Sequence, residues 1–292
     1  IGNPLTSWLL ISVMLLIGLL TAGVGLWLLL PEAANGSGFG VPKEIVLVLV
    51  IVSTVFLLKQ LPGAIKTSLE RQYKIFDNKH TWVMSVIYTM TFGSFIGFAA
   101  SFPLSIKVIF GYQHLMVDGV MTHNTVNPNG PSALMYAWMG PFIGALIRPV
   151  GGWISDKVGG ALVTQICAAI MVASALGVAY YMQAAYASAT PEQYFVEFFV
   201  LFLLLFAATG IGNGSTFRTI AMVFPKEQAG PVLGWTSAVA AYGAFYIPKV
   251  LGEQIKATTP EVALIGFAIF YTVCIFVNWW FYLRKDGEFY NP

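Results

Sequence analysis

Eight apolar stretches, each close to or beyond the length that carries a helix across a bilayer, decide what this chain can fold into. They run over residues 8–30, 44–61, 82–108, 134–154, 161–183, 195–224, 231–251 and 261–283. A hydrocarbon core takes roughly 20 helical residues to cross. Lipid offers backbone N–H and C=O groups no partner there, so the stretches read as helices and not as open sheet. The stretch 44–61 is the shortest and carries Lys59 near its end. Composition agrees, because 57% of the 292 residues are hydrophobic and only 10% are charged. Soluble domains carry about 25% charged residues, enough to cover a wet surface. The expected fold class is all-α: a polytopic membrane helix bundle of about eight transmembrane helices, with no room for a soluble domain.

Trp8, Trp82, Trp279, Trp280 and Tyr282 fall near span ends, where rings that are apolar in body and polar at the tip collect. Cys167 and Cys274 lie in separate spans and read as small buried hydrophobes. No Cys–His spacing suggests a metal. No cofactor, no catalytic residue and no nucleic-acid partner is expected, and the chain does not read as an enzyme. Orientation follows the basic residues. The connection 59–79 holds Lys59, Lys66, Arg71, Lys74 and Lys79. If that face is cytoplasmic, Lys157, Lys226, Arg284 and Lys285 join it, nine against Lys43, Lys107, Lys249 and Lys256 opposite. Both chain ends are then cytoplasmic. The chain starts at Ile1 with no charged region or cleavage site before the first span, so it reads as a fragment or processed chain and not as one led by a signal peptide. Residues 65–79 are basic and amphipathic, which fits a segment lying along the headgroups or a solvated linker. The longest outer loop, 111–133, carries His114, His123, Asn124, Asn127 and Asn129. Two histidines nine apart could bind a metal, but the Gly/Asn/Pro content favours a solvated loop.

An ionisable residue inside a span costs about 2.5–3.5 kcal/mol at its centre. Two arginines meet that condition, Arg148 and Arg218. Each lies about six residues, or roughly 9 Å, from the cytoplasmic end of its span, so snorkelling to the headgroups is the plain alternative. Arg148 keeps telling company: Gly144, Gly151 and Gly152 fall on neighbouring faces at spacings of three and four. Such a face lets a second helix approach closely, which points the guanidinium into the bundle. The acids and histidines fall at span ends or in loops, so neither arginine has an obvious internal counter-ion. A buried guanidinium without a carboxylate suits a substrate anion, and the lack of a protonatable relay weighs against proton coupling in these helices.

Tyr88 and Phe92 lie one helical turn apart, amid Thr91, Gly93, Ser94 and Gly97. Ordinary packing aromatics would look the same, but a ring with a positive edge can also line an anion pocket. The run 210–218, Gly-Ile-Gly-Asn213-Gly-Ser215-Thr-Phe-Arg218, offers a thin, hydrogen-bonding face for close contact or for a substrate path. Gly234-Trp-Thr-Ser237 and Tyr242-Gly243 repeat the theme. No Lys-Ser/Thr ending follows, so this is not a nucleotide loop.

At these residues the sequence resembles the nitrate/nitrite porter family of the major facilitator superfamily. Residues 82–102 resemble the family's seventh helix, 140–160 its eighth, 210–218 its tenth, and 234–245, running on to Ile247-Pro248-Lys249, the glycine-rich nitrate signature of the eleventh. The likeness spans about residues 80–285. It implies two six-helix halves around one anion site, worked by rocking from face to face. By resemblance Arg148 is the substrate arginine of the carboxy-terminal half, and Tyr88, Phe92, Ser237 and Gly234 line the site. Asn213, Ser215 and Arg218 belong to the substrate path. Gly152, Asp156, Lys157 and Gly160, in the superfamily's short loop between paired helices, form a cytoplasmic latch, a role compatible with Asp156 capping the next helix. The family's first helices, with a second substrate arginine, have no counterpart here. The domain expectation is two helices over 1–62, ending the amino-terminal half or forming an inserted pair, then a cytoplasmic linker over 63–81 and a carboxy-terminal six-helix bundle over 82–292.

The expected function is secondary active transport of nitrate and nitrite, as exchange by alternating access, in a prokaryotic cytoplasmic (inner) membrane. The partners are nitrate and nitrite, the lipid bilayer and a missing amino-terminal half. Transport of another small or organic anion and proton-coupled nitrate symport are the alternatives. A membrane subunit of a respiratory complex would need metal or quinone ligands within spans, and no histidine lies in one.

Overall fold

The computed structural model describes residues 4–30, 39–61 and 64–292. The chain forms two compact units, residues 1–77 and 78–292. Among the described residues six helical segments are long and apolar enough to cross a membrane: Trp8–Leu29, Lys79–Phe110, Ala133–Val158, Gly160–Tyr186, Pro191–Val223 and Pro260–Leu283. The protein is a multi-pass integral membrane protein built from helices.

In the first unit α1 (Pro4–Leu29) pairs with the 17-residue α2 (Lys43–Lys59). The Thr54 hydroxyl donates to the Thr21 oxygen at 2.7 Å, and a Cβ on Gly25 would strike Val50. Polar glue and a small residue replace the hydrophobic drive that is missing between helices in lipid. Leu15, Leu19, Leu26, Ile51, Val52 and Phe56 stay exposed, as suits helices whose solvent is a bilayer. A short amphipathic helix, α3 (Ala64–Tyr73), follows, and its Tyr73 ring lies 5.5 Å beneath the Lys59 ammonium.

The second unit opens with α4 (Lys79–Tyr88), which passes through a wide π turn over Thr89–Gly93 into α5 (Ser94–Ser105) and a second π turn over Ile106–Phe110. Then come a hairpin of β1 (Tyr112–Val117) and β2 (Val120–Val126), the short α6 (Ala133–Tyr136), and α7 (Met139–Val158), α8 (Gly160–Tyr186) and α9 (Phe195–Val223). The chain ends through α10 (Lys226–Ala241), α11 (Gly243–Lys256) and α12 (Pro260–Asn278), which closes in a π turn over Trp279–Leu283. Helix α9 is the hub, packed on both α7 and α8. Phenylalanines at 198, 202 and 206 recur every fourth residue, so they share one face. They meet Phe98 and Phe102 of α5, with the Phe102 and Phe202 rings 4.7 Å apart. Hydroxyls and amides finish the contacts: Thr164 with Ser215 at 2.7 Å, Tyr271 to Ser94 at 2.8 Å, and Asn278 to Gln165 at 2.7 Å.

Several expectations are corrected. The stretch 231–251 is two consecutive helices, α10 and α11, meeting at Tyr242. Gly243 there lies so close to Gly93 that a Cβ would strike its backbone. The 111–133 connection is not a solvated loop: it folds as a hairpin around Asp118-Gly119, both at positive φ (51° and 81°), the backbone a two-residue hairpin turn demands. Its His114 is 2% exposed. His114 Nε2 donates to the Ile109 carbonyl at 2.7 Å, so its Nδ1 accepts from His123 Nδ1 at 2.6 Å, and the Tyr186 ring stacks on His123 and packs at a tilt against His114. Nor is His80 outside the helices. It is buried in the first turn of α4, 3.0 Å from the Tyr282 hydroxyl and 3.1 Å from Glu288.

Candidate functional site

The site forms where α7 crosses α9. A Cβ on Gly210 would strike the Gly144 carbonyl, one on Gly214 the Arg148 carbonyl, and one on Gly151 the Ile211 carbonyl. Small residues on both helices thus bring the two backbones into contact, and Arg148 leaves α7 from the middle of that contact. Its guanidinium carbon stands 4.1 Å from the centre of the Phe95 ring and 5.5 Å from that of Phe92. Rings hold a cation over their negative faces without neutralising its charge. The Arg148 Nε is buried and has no hydrogen-bond partner among the described residues.

The residues expected at the anion site fall into two groups. Tyr88 stacks on Phe92 with centroids 5.1 Å apart, is itself buried, and interacts with both Ser237 and the Arg148 charge. Ser237 and Gly234, three residues apart on α10, share one side of that helix. Ser237 is half-buried, whereas Gly234 is exposed, and a Cβ there would meet nothing. Arg148, Tyr88, Phe92 and Ser237 are therefore brought together, with Gly234 at the open edge. Sequence reasoning missed Phe95, the ring nearest the cation, although it lies one turn beyond Phe92. It also missed Phe217, whose ring meets Tyr88 at 5.5 Å.

The three path residues part company. Asn213 is fully buried and neither polar atom of its side chain has a partner among the described residues. The Ser215 hydroxyl is engaged by Thr164 of α8 and by the Gly212 carbonyl at 2.8 Å. Arg218 is not without a counter-ion, as its sequence position suggested: its Nε lies 3.3 Å from Asp156 Oδ1. Spacing along the chain could not show this, because Asp156 belongs to the last turn of α7 and not to a loop.

The other residues expected to form a latch lie around Asp156. Lys157 Nζ lies 3.7 Å over the Trp153 ring. Gly152 is half-buried beside open space, and Gly160 sits where a Cβ would strike the Thr219 hydroxyl. The chain's last residues cross this turn. Asn291 donates to the Val158 carbonyl at 2.6 Å and accepts from the Leu162 N–H at 2.9 Å, while the Gly160 N–H donates to the Pro292 carbonyl at 2.6 Å.

A cavity of about 420 Å³ lies elsewhere, lined by Ser94, Tyr242, Ile247, Phe267 and Tyr271 among others. Its lining carries hydroxyl and amide groups, such as those of Ser94, Gln254 and Tyr271, but no charged residue. Among the described residues no group of three or more His, Cys, Asp or Glu is placed to hold a metal.

Comparison with known proteins gives the arrangement its context. No family model matches the chain. It is 41% identical over 225 residues to the probable nitrate/nitrite antiporter NarK2 of Thermus thermophilus, covering 77% of this chain and 46% of that protein. It is 34% identical over 243 residues to the nitrate/nitrite transporter NarU of Escherichia coli, covering 75% and 47%. A probable nitrate/nitrite transporter NarK2 of Mycobacterium tuberculosis is 29% identical over 172 residues, 59% and 37% of the two chains. The chain spans about half the length of the first two of these relatives.

Proposed function

Given that the chain belongs to the nitrate/nitrite porter family, we propose that it moves nitrate and nitrite across a membrane by exchange through alternating access. The observation that carries this reading is the Arg148 guanidinium: half-buried, held over two aromatic rings, and with a buried Nε that no protein group accepts from. A charge withdrawn from water without a partner is unfavourable, so an oxyanion is the natural occupant. The planar fork can give it two parallel hydrogen bonds, which an ammonium cannot. Tyr88, Phe92 and Ser237 line the place, and Gly234 leaves its edge open.

In this reading residues 82–292 are the carboxy-terminal six-helix bundle, 63–81 a cytoplasmic linker and 1–62 a preceding helix pair. A second six-helix half supplies the opposite wall of the site. The basic excess puts the α7–α8 turn on the cytoplasmic side of a prokaryotic inner membrane. There Asp156 and Arg218 tie α7 to α9, and Gly152, Lys157 and Gly160 shape the turn. The tie is proposed to hold while the site faces outward and to release when it faces inward.

Vesicles reconstituted with the full-length protein and loaded with nitrite test the exchange. Nitrate uptake should rise steeply with internal nitrite and be indifferent to a pH gradient. Uptake driven by the pH gradient and insensitive to nitrite would make the protein a proton symporter. Competition by organic anions alone would remove nitrate as its substrate.

A further inference from the structure

Asn213 lies in the middle of α9, completely buried, and neither its Oδ1 nor its Nδ2 has a protein hydrogen-bond partner. A buried amide left unpaired is unfavourable, and native interiors pair nearly all such groups. Its neighbours along the helix fix where it points. A Cβ on Gly212, one residue earlier, would stand 2.8 Å from the Thr91 methyl carbon, and one on Gly214, one residue later, would strike the Arg148 carbonyl. One turn on, the Thr216 hydroxyl lies 3.4 Å from that of Thr91, and the Phe217 ring meets Tyr88. Residues three and four apart share a helix face, so Asn213 looks into the space between the Thr89–Gly93 π turn and Arg148. A π turn inside an α-helix is itself a frequent mark of a functional site.

The hydrogen-bonding inventory of that space is complementary. Arg148 Nε–H is a buried donor without a protein partner, and Asn213 Oδ1 is a buried acceptor without one. The two are not bonded to each other, and the Asn213 Nδ2 N–H is a further unpaired donor beside the Arg148 guanidinium. Donors thus face the space from both sides, and donors are what an oxyanion accepts from. We propose that Asn213 is a further anion-binding residue of this site: its amide end donates to an oxygen of the oxyanion whose charge Arg148 balances. This rests on the reading of Arg148 as the anion's counter-charge and adds a second, uncharged contact to it.

Equilibrium titration of nitrate on the purified full-length protein tests the assignment, with melting temperature followed in parallel. Asn213→Asp keeps shape and acceptor but replaces the donor with a negative charge, which pairs internally with Arg148. Its affinity should fall most, by on the order of 100-fold, as for loss of a charge-assisted contact. Asn213→Leu should fall about tenfold, and Asn213→Ser, which restores a small donor and acceptor, should recover to within about threefold of the unchanged protein. Melting temperatures should not follow this ranking. Unchanged affinity in Asn213→Asp would overturn the proposal. So would affinity losses in Leu and Ser variants that are equal and parallel a loss of melting temperature, which would make Asn213 structural. The underlying site reading is tested apart, by Arg148→Lys. Lost nitrate binding in that variant beside an unaffected Asn213→Asp sinks the Asn213 assignment alone, and retained binding in Arg148→Lys sinks both.

Discussion

Arg148 and Arg218 stand on packed neighbouring helices, each several residues inside an apolar segment, and in sequence they look alike. The structure separates them. Arg218 reaches a carboxylate, Asp156, at the end of α7, while Arg148 is covered by two phenyl rings and has no ion pair among the described residues. An ion pair with a carboxylate can tie two helices, whereas a guanidinium without one is, in the proposed reading, left to take the substrate anion. The difference arises from position along the crossing: Arg148 emerges where glycines press α7 against α9, and Arg218 a turn beyond Gly214, where α7 is ending.

The comparison can be broken most forcefully at the crossing itself. Gly214→Leu puts a side chain where the Arg148 carbonyl already lies. The overpacking should destabilise the protein by about 1–3 kcal/mol or more and displace Arg148, read as a lower melting temperature together with lost nitrate binding. Separating the tie from the site comes next. Asp156→Asn should slow exchange about fivefold, the scale of a modest coupling between states, while nitrate affinity stays as it was. A smaller effect belongs to the ring nearest the cation: Phe95→Leu should weaken nitrate binding by about threefold, the worth of an exposed cation–π contact.

The smallest effect lies outside the spans, at the hairpin. Burial lowers the pKa of both His114 and His123 below the usual 6.5, aided for His114 by the neighbouring His123 charge and opposed by its bond to Ile109. Well above pH 6.5 both forms of the chain hold these rings neutral, so they give no pH dependence there. Below it the unfolded chain takes up protons that the folded hairpin resists, and stability falls as the medium is acidified. His123→Gln should flatten that part of the melting profile, with nitrate affinity at pH 7 unmoved.

Most of the helices were legible because lipid leaves the backbone one solution, and length with apolarity then marks each span. The glycine face beside Arg148 was legible for a similar reason: spacings of three and four survive into any helix. Other features were not. The break at Tyr242 lies inside a continuous apolar window, so hydropathy does not register it, and the close approach of Gly243 to Gly93 beside it is a long-range contact. Asp118-Gly119 was a hairpin signal masked by its Gly/Asn/Pro-rich surroundings. Phe95 resembled any lipid-facing ring until α7 was placed across it. The Asp156–Arg218 pair joins two helices separated by the whole of α8, and no local pattern encodes such a contact.

What distinguishes the two arginines is best tested by titrating nitrate against two single variants of the full-length protein, Arg148→Lys and Arg218→Lys, each inserted normally in the membrane. Charge is conserved in both, and only the bidentate fork is lost. The expected result is binding weakened by on the order of 100-fold or more in Arg148→Lys, as for loss of a charge-assisted bidentate contact, and near-normal affinity in Arg218→Lys. Equal affinities in the two variants, or nitrate held normally by Arg148→Lys, would contradict the assignment of Arg148 as the anion's partner.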